Sequence, residues 1–361
     1  MSEPGLRRTQ SGQAEKIFRP LSSPLAKALS LCGVLCVFAF VSSPLQAETD
    51  GEEAAAVYSI ESAKAKRGLL TDVTMAGTRL VAVGERGHIL YSDDSGVQWS
   101  QAKVPSLSLL TSVFFADDQH GWAVGHDALI LATTDGGLTW TEQFRDAERE
   151  EGAPFLDVWF QDKDNGLVIG AYGALLATAD GGQNWEDVSD RIDNEDGFHL
   201  NAIGEVKDAG LFVVGEMGSM FRSGDAGLTW EKVQGPYEGS LFGVLGTREA
   251  KSLLVFGLRG NMYRSGDFGN SWQPVKIKTA RGAFEVGLSG GTLSGSDAIS
   301  VVGHGGAVLT SSDDGRNFEA ITRPDRLSLA SVAADAKGNL ILVGQGGVRT
   351  ASPTGTALSQ Q

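Results

Sequence analysis

Carboxylate side chains recur in this chain at one fixed place in a repeated sequence pattern. The pattern, called the box here, is Ser/Thr-x-Asp-x-Gly-x-x-Trp/Phe, and its aspartates are Asp94, Asp135, Asp180, Asp225, Asp267 and Asp313. Paired carboxylates at a set separation hydrolyse glycosides, whereas a single aspartate followed by backbone amides locks a turn. Because each copy has the same short context and a glycine two residues on, we interpret these aspartates as structural turn formers.

Other residues that could perform chemistry are scattered. The histidines are His88, His120, His126, His199 and His304, and none forms a helical pair or a Cys-x-x-Cys neighbourhood of the kind that binds metal. Carboxylates for an alternative glycoside hydrolase lie in long loops, at Glu150, Glu151, Asp193, Glu195 and Asp196. We therefore expect no catalytic residue, no cofactor and no metal site.

The elements that position these residues follow a period of 41 to 46 residues. Each period contains an apolar run that closes on a glycine, at Gly84, Gly125, Gly170, Gly215, Gly257, Gly303 and Gly344. Short runs rich in Val, Leu, Ile and Phe precede and follow each glycine, with turn residues between them, which is typical of strands. Repeats of this length and content predict an all-β fold, a seven-bladed β-propeller of four-stranded antiparallel blades.

Seven glycines but six boxes make the last repeat irregular. Its three strands, within residues 328–351, precede no box and no fourth strand. An apolar stretch at residues 55–60 precedes the first repeat, and we predict that it supplies the missing outer strand of blade seven. Such closure would hide the sheet edges, and it predicts one propeller domain at 48–361 with blade repeats from about 65 to 353.

The N-terminal residues predict export. A basic segment precedes an apolar core at Leu31–Val41, which is short for a membrane span, and Leu45-Gln46-Ala47 follows it. This order predicts a signal peptide at 1–47, with an uncleaved anchor as the alternative. Both cysteines, Cys32 and Cys36, fall inside it. The formal net charge of −15 argues against nucleic acid as a partner.

The boxes resemble the Asp-box, or BNR repeat, which also occurs in sialidases. The units GWAVGHDALILATTDGGLTW and GLVIGAYGALLATADGGQNW resemble the repeat of the photosystem II stability/assembly factor family, over about residues 65–350. That resemblance implies a non-enzymatic exported propeller that binds a subunit of a membrane complex during assembly, in the periplasm or the thylakoid lumen. The strongly acidic composition departs from the family's positively charged binding surface. A sialidase-like hydrolase and a general ligand-binding scaffold are the alternatives.

Propeller connectivity indicates where a protein partner would bind. The turn after each repeat glycine and the loops between blades share one face, opposite the boxes, and this is where the repeats vary. We predict partner-binding residues on that face, with a monomeric protein and no small-molecule substrate. They are Arg86, Tyr172, Arg259, Lys276, Lys278, Arg281, Arg323 and Arg326.

Overall fold

The structure, a computed structural model, describes residues 57–148, 152–280, 282–295 and 298–358. These residues form the seven antiparallel sheets that the period predicts, each one a blade. Blade one contains β1 (Leu70–Ala76), β2 (Arg79–Gly84), β3 (Ile89–Ser92) and β4 (Ser100–Gln101). Blade two contains β5 (Leu110–Phe115), β6 (Gly121–Gly125), β7 (Leu129–Thr133) and β8 (Thr141–Phe144).

The next three blades repeat this plan. Blade three contains β9 (Phe155–Phe160), β10 (Gly166–Gly170), β11 (Leu175–Thr178) and β12 (Glu186–Asp187). Blade four contains β13 (Leu200–Val206), β14 (Gly210–Gly215), β15 (Met220–Ser223) and β16 (Glu231–Lys232). Blade five contains β17 (Leu241–Gly246), β18 (Leu253–Gly257), β19 (Met262–Ser265) and β20 (Gln273–Pro274).

The last two blades depart from four strands. Blade six contains β21 (Lys276–Lys278), β22 (Leu288–Ser294), β23 (Ala298–Gly303), β24 (Ala307–Ser311) and β25 (Asn317–Thr322), with β21 added parallel to β25. Blade seven contains β26 (Leu329–Ala334), β27 (Leu340–Gly344) and β28 (Arg349–Ala351), and one bridge joins Ala351 to Ala357. Short 3-10 segments occupy Ala65–Arg67, Glu85–Gly87, Ala171–Gly173, Ser189–Arg191, Glu216–Gly218, Leu258–Gly260 and His304–Gly306.

The hydrophobic core lies between neighbouring blades. The second strands are apolar runs with nearly every residue buried, as in β6, β10, β18 and β27, because both faces of the sheet pack against other blades. Each pair of consecutive blades shares one cluster of buried side chains. The cluster between blades seven and one includes Leu70, Val73, Ile341 and Val343 and closes the ring.

The predicted closing strand at residues 55–60 is corrected where the structure describes it. Residues 57–60 form no strand and lie beside the end of blade one, where Ser59 N donates to Val104 O at 2.8 Å. Gln101 Nε2 donates to Ile60 O at 3.0 Å. Residues 57–60 thus form their hydrogen bonds with blade one. The last hairpin of blade seven instead contacts a later segment, where Val348 N donates to Lys66 O at 3.1 Å. Residues 55 and 56 lie outside the described residues.

A β-bulge occurs near the start of the first strand in every blade. In β1, for example, the register shifts between Leu70 and Asp72, and the other six first strands shift at the same place. At two bulges a threonine hydroxyl crosses to the next blade: Thr71 Oγ1 donates to Leu110 O at 2.6 Å and Thr111 Oγ1 to Phe155 O at 2.7 Å. The bulges thereby join blades as well as bend strands.

No helix among the residues that the structure describes combines the length and apolarity that crossing a membrane requires.

Candidate functional site

The turns between second and third strands lie against the loops that connect consecutive blades. This arrangement gives the protein one face, called the turn face here, that is built from both kinds of segment. Backbone hydrogen bonds join turn to loop at Gly87 N to Ser108 O (2.9 Å), Asp127 N to Gly152 O (3.1 Å), Arg323 N to Gly306 O (2.8 Å) and Val348 N to Lys66 O (3.1 Å). The turns are thus held in place by the loops that vary most among the repeats.

Seven residues at the tips of these turns adopt the left-handed backbone conformation. They are called the turn ring and each lies two positions after a repeat glycine. Their φ angles are 58° at Arg86, 62° at Asp127, 56° at Tyr172, 52° at Met217, 56° at Arg259, 62° at Gly305 and 75° at Gly346. The same conformation recurs in every blade because the turn geometry demands it.

Five of the seven members of the turn ring are not glycine. A residue with a Cβ costs roughly 1 kcal/mol or more in this conformation, and blades six and seven avoid the cost with Gly305 and Gly346. Strain of this kind is often found at functional sites, since a fold retains it where the side chain is needed. The box turns contain the same conformation at Ser95, Ala226, Phe268 and Asp314, so strain alone does not distinguish the turn face. The turn face is a candidate site because four of its five strained side chains are also exposed.

The turn ring presents mixed chemistry. Arg86 and Arg259 are exposed cations with no ion pair to any described residue. Tyr172 is 55% exposed, and its ring meets the His199 ring edge-on at 4.9 Å. Met217 is 63% exposed. Cation, aromatic and thioether groups on one face suit contact with another protein.

Asp127 is the one acidic member of the turn ring, and its carboxylate contacts two neighbouring side chains. Ser108 Oγ donates to Asp127 Oδ2 at 2.6 Å, and Arg145 Nη1 lies 3.7 Å from the same oxygen. Arg145 also binds the Glu142 carboxylate at 3.0 Å. These groups line a cleft of about 840 Å³ with Leu107 and Tyr58.

The structure separates the residues predicted to bind a partner. Arg86, Tyr172 and Arg259 lie together in the turn ring, and exposed Arg326 lies on the neighbouring loop with a φ of 52°. Lys276 and Lys278 lie instead on β21, at the outer edge of blade six, where Lys278 Nζ contacts Glu319 Oε1 at 2.8 Å.

Arg323 and Arg281 lie outside this exposed set. Arg323 is only 8% exposed, and its Nη1 donates to Gly355 O at 3.1 Å. It therefore links blade six to the C-terminal segment, whereas the sequence predicted a surface residue that binds a partner. Arg281 lies outside the described residues. Met217 was not predicted from the sequence because it is neither charged nor aromatic, unlike the residues predicted to bind a partner. The signal was present in the repeat, as the residue two positions after Gly215.

The box turns occupy the opposite end of the blades. Thr133 Oγ1 donates to Asp135 Oδ1 at 2.8 Å, the amides of Leu138 and Thr139 donate to the same oxygen at 3.0 Å, and Thr139 Oγ1 donates to Oδ2 at 2.6 Å. In all six boxes the Ser or Thr hydroxyl lies 2.7–2.9 Å from the aspartate. Each carboxylate thus directs its oxygens at its own turn.

These hydrogen bonds also set the charge state of the box aspartates. The pKa of each is lowered from its ordinary value. At Asp225 the largest cause is the hydrogen bond from the Thr229 hydroxyl, followed by the one from the Thr229 amide. A carboxylate held ionised in this way is a poor proton donor for hydrolysis.

Hydrogen bonds to the box turns also join neighbouring blades. The residue after each box aspartate has a positive φ, and in three boxes its carbonyl oxygen accepts a hydrogen bond from an arginine of the preceding blade. Three such bonds are Arg79 Nη1 to Gly136 O (3.0 Å), Arg222 Nη1 to Phe268 O (2.9 Å) and Arg264 Nε to Asp314 O (3.2 Å). Three of the basic residues are thereby committed to contacts between blades.

The central channel is lined by the first strands, and it contains two linked carboxyl groups. Ser112 Oγ lies 2.7 Å from Asp157 Oδ1 and 3.2 Å from Asp72 Oδ2. Ile203 N donates to Asp157 Oδ2 at 2.9 Å. Burial raises the pKa of Asp157 to about 7, and burial raises that of Asp72 as well. Across the described residues, no group of three His, Cys, Asp or Glu side chains could hold a metal ion.

These features define a class of protein: a seven-bladed propeller whose box turns serve the fold and whose turn face offers exposed side chains. Residues 91–155 and 148–294 match the family described as photosynthesis system II assembly factor YCF48. The two matches together cover more than half of the chain, and the chain belongs to this family.

Individual relatives match over shorter lengths. The chloroplastic photosystem II stability/assembly factor HCF136 of Cyanidioschyzon merolae is 46% identical over 59 residues, 16% of this chain and 14% of that protein. The photosystem II assembly lipoprotein Ycf48 of Prochlorococcus marinus is 36% identical over 64 residues, 18% of this chain and 19% of that protein. The chain thus matches less than a fifth of the length of these two relatives.

Solved structures support the fold over a longer stretch. YCF48 bound to a D1 peptide aligns with 80% of this chain and 94% of its own chain, with a TM-score of 0.63 and 17% sequence identity. At that identity the likeness shows the propeller architecture.

Proposed function

We propose that this propeller binds a subunit of a membrane protein complex and assists the assembly or stability of that complex. The observation that carries the proposal is the match of residues 91–294 to an assembly-factor family. Relatives of this family are named photosystem II assembly factors, and one solved YCF48 propeller holds a D1 peptide. Both support a protein partner, with a reaction-centre subunit as the first candidate.

The turn face is the docking surface in this proposal. The box face uses its aspartates inside turns and three arginines between blades. The turn face instead exposes Arg86, Tyr172, Met217, Arg259 and Arg326. Three of these are cations, although the chain as a whole has a formal charge of −15. These cations would attract a partner whose binding surface is acidic or of mixed charge.

Export completes the proposal. Residues 1–47 have the order of a secretory signal, and relatives are named lipoprotein or chloroplastic. An exported propeller would meet its partner in the periplasm, or in the thylakoid lumen of a photosynthetic host.

Charge reversal on the two faces tests the docking surface. The double variant Arg86→Glu/Arg259→Glu should weaken binding to the solubilised membrane complex by at least about tenfold, or roughly 1.4 kcal/mol. Lys337→Glu is the matched control, because Lys337 is exposed in the β26–β27 turn at the box end and no ion pair joins it to a described residue. Arg316 is less suitable, since it pairs with Glu249.

The binding constants would be measured on immobilised propeller, with melting temperatures recorded for each variant. Equal loss of binding in the Lys337 variant, or none in the double variant, would show that the turn face is not the docking surface. A wild-type propeller that binds no subunit of the complex would refute the proposed function itself.

A further inference from the structure

A groove runs across the turn face beside blade four. Its volume is about 740 Å³, and it lies between the turn at Glu216–Gly218 and the loop that connects blade four to blade five. This space, called the blade-four groove, is lined by Phe198, Met217, Lys232, Tyr237 and the loop residues 234–239. It is therefore continuous with the turn ring through Met217.

Hydrogen bonds and ring stacking fix two walls of the groove. On one side Asn194 Nδ2 donates to Phe198 O at 2.8 Å, and Phe198 N donates to Asn194 Oδ1 at 3.2 Å. On the other side the Tyr237 ring stacks on the Tyr263 ring of blade five, with centroids 6.3 Å apart. Walls that are already ordered reduce the entropy that a ligand loses on binding.

The loop in the groove has unused backbone hydrogen-bonding groups. After Val233 N, which donates to Met220 O at 2.8 Å, none of the amides or carbonyl groups of residues 234–239 has a partner among the described residues. The corresponding loop after blade one differs, because Ser108 O accepts from Gly87 N. This loop bends at residues 236, 238 and 239, and Pro236 has no amide. Its remaining amides and its carbonyl groups are free to form main-chain hydrogen bonds with another chain.

Two side chains indicate what would lie along this edge. Met217 holds a φ of 52° and is 63% exposed, although glycine serves at the same position in blades six and seven. Lys232 Nζ contacts only the carbonyl oxygen of Asp193, at 3.3 Å, and pairs with no described carboxylate. An exposed thioether suits an apolar side chain, and a free ammonium suits an acidic one.

We propose that the blade-four groove binds an extended segment of the partner polypeptide, with its main chain along residues 234–239, an apolar side chain against Met217 and an acidic side chain near Lys232. This inference rests on the proposed function in that the partner is a protein. A lipid tail or an apolar small molecule would cover Met217 but would leave the loop amides without acceptors, and unpaired polar groups are costly to desolvate.

Selection from a displayed library of random peptides tests the groove without knowledge of the partner. Peptides retained by the wild-type propeller should be enriched in Leu, Ile, Met or Phe next to Asp or Glu. Met217→Gly should weaken their binding by at least about tenfold, while its melting temperature stays equal or rises because glycine relieves the strained turn. Ser95→Gly is the matched control, since it makes the same change at a residue with a φ of 59° in a box turn, outside the docking surface, and should leave peptide binding unaltered.

Several results would overturn the inference. The groove is excluded if no peptide is retained, if the retained peptides bind Met217→Gly as tightly as wild type, or if Ser95→Gly weakens their binding equally. A concentration-dependent dimer that Met217→Gly abolishes would assign the groove to a second copy of this chain. If selected peptides need Met217 but do not compete with a membrane complex that the propeller binds, the inference fails while the proposed function stands. If the propeller retains such peptides but binds no subunit of the complex, the proposed function fails while the groove stands as a peptide site.

Discussion

Asp157 should make the stability of this propeller fall as the pH rises from about 4 to about 7. The carboxyl lies half-buried on the channel wall, where burial raises its pKa from 3.8 to about 7. Hydrogen bonds from Ile203 N and the Ser112 hydroxyl oppose that change, and the charge of Asp72 adds to it. In the unfolded chain Asp157 ionises near its ordinary value, so across this window only the folded state holds the proton.

The sign and size follow from linkage. A carboxyl with a raised folded pKa contributes stability that is complete below its unfolded pKa and is lost as the pH passes the folded pKa. A rise from 3.8 to about 7 corresponds to roughly 4 kcal/mol at most. Because water in the channel screens a half-buried group, we expect a decrease of about 1–3 kcal/mol in the free energy of unfolding. The box aspartates act at lower pH, since their pKa values are lowered.

Asp157→Asn isolates this effect. The amide keeps the size and most of the hydrogen bonds of the carboxyl but does not titrate, so urea unfolding across the window should show a fall for wild type and a flatter profile for the variant. His88 contributes in the opposite direction, because burial lowers its pKa, and it contributes equally to both proteins. Parallel profiles for wild type and Asp157→Asn would refute the assignment of a half-buried Asp157 that stays protonated across this window.

Three other changes test the fold and the processing of the chain. Asp135→Ala should lower the free energy of unfolding by roughly 1–3 kcal/mol in urea titrations and leave partner binding unaltered; normal stability with lost binding would make the box a functional site. Asp314→Gly should cost about 2–4 kcal/mol by the same measurement, because Thr247 Oγ1, Arg248 N and Arg264 lose a buried carboxylate, whereas Ser95→Gly at the equivalent box position should be neutral or stabilising. Intact-mass analysis of the exported protein should show Glu48 as its first residue, and a membrane-bound form retaining residues 1–47 would contradict signal cleavage.

The repeat determined how much of the fold could be predicted from sequence. Glycine and tryptophan recur at fixed spacing because the same turn and the same packed strand recur, and this periodicity predicts the blade count and the strand limits. The ends of the ring break the period, so the sequence could not place residues 57–60, whose contacts with Gln101 and Val104 depend on the assembled blade. The contact between Asp157 and Ser112, at 2.7 Å, likewise has no signal in the sequence.

The candidate site was predicted less well than the fold, because exposure and pairing are properties of the assembled ring. Arg323 and Arg259 have the same charge and both lie between strands on the turn face, yet Arg323, in the loop after β25, is buried against Gly355 O, and Arg259, two residues after Gly257, is exposed in the turn ring. Position within the repeat separates them, whereas residue type does not.

The two ends of the blades therefore have different roles, one in the packing of the blades and the other in the proposed binding. At the box end an aspartate orders each turn, and three turns receive an arginine from the preceding blade, so a substitution there changes how blades pack. At the turn end the backbone is equally constrained, but two blades show that glycine suffices for it. Side chains such as Met217 and Arg259 are thus not required by the turn, and the structure offers them no partner among the described residues. Their removal should spare the fold and impair binding, which is the reverse of the effect expected for Asp135.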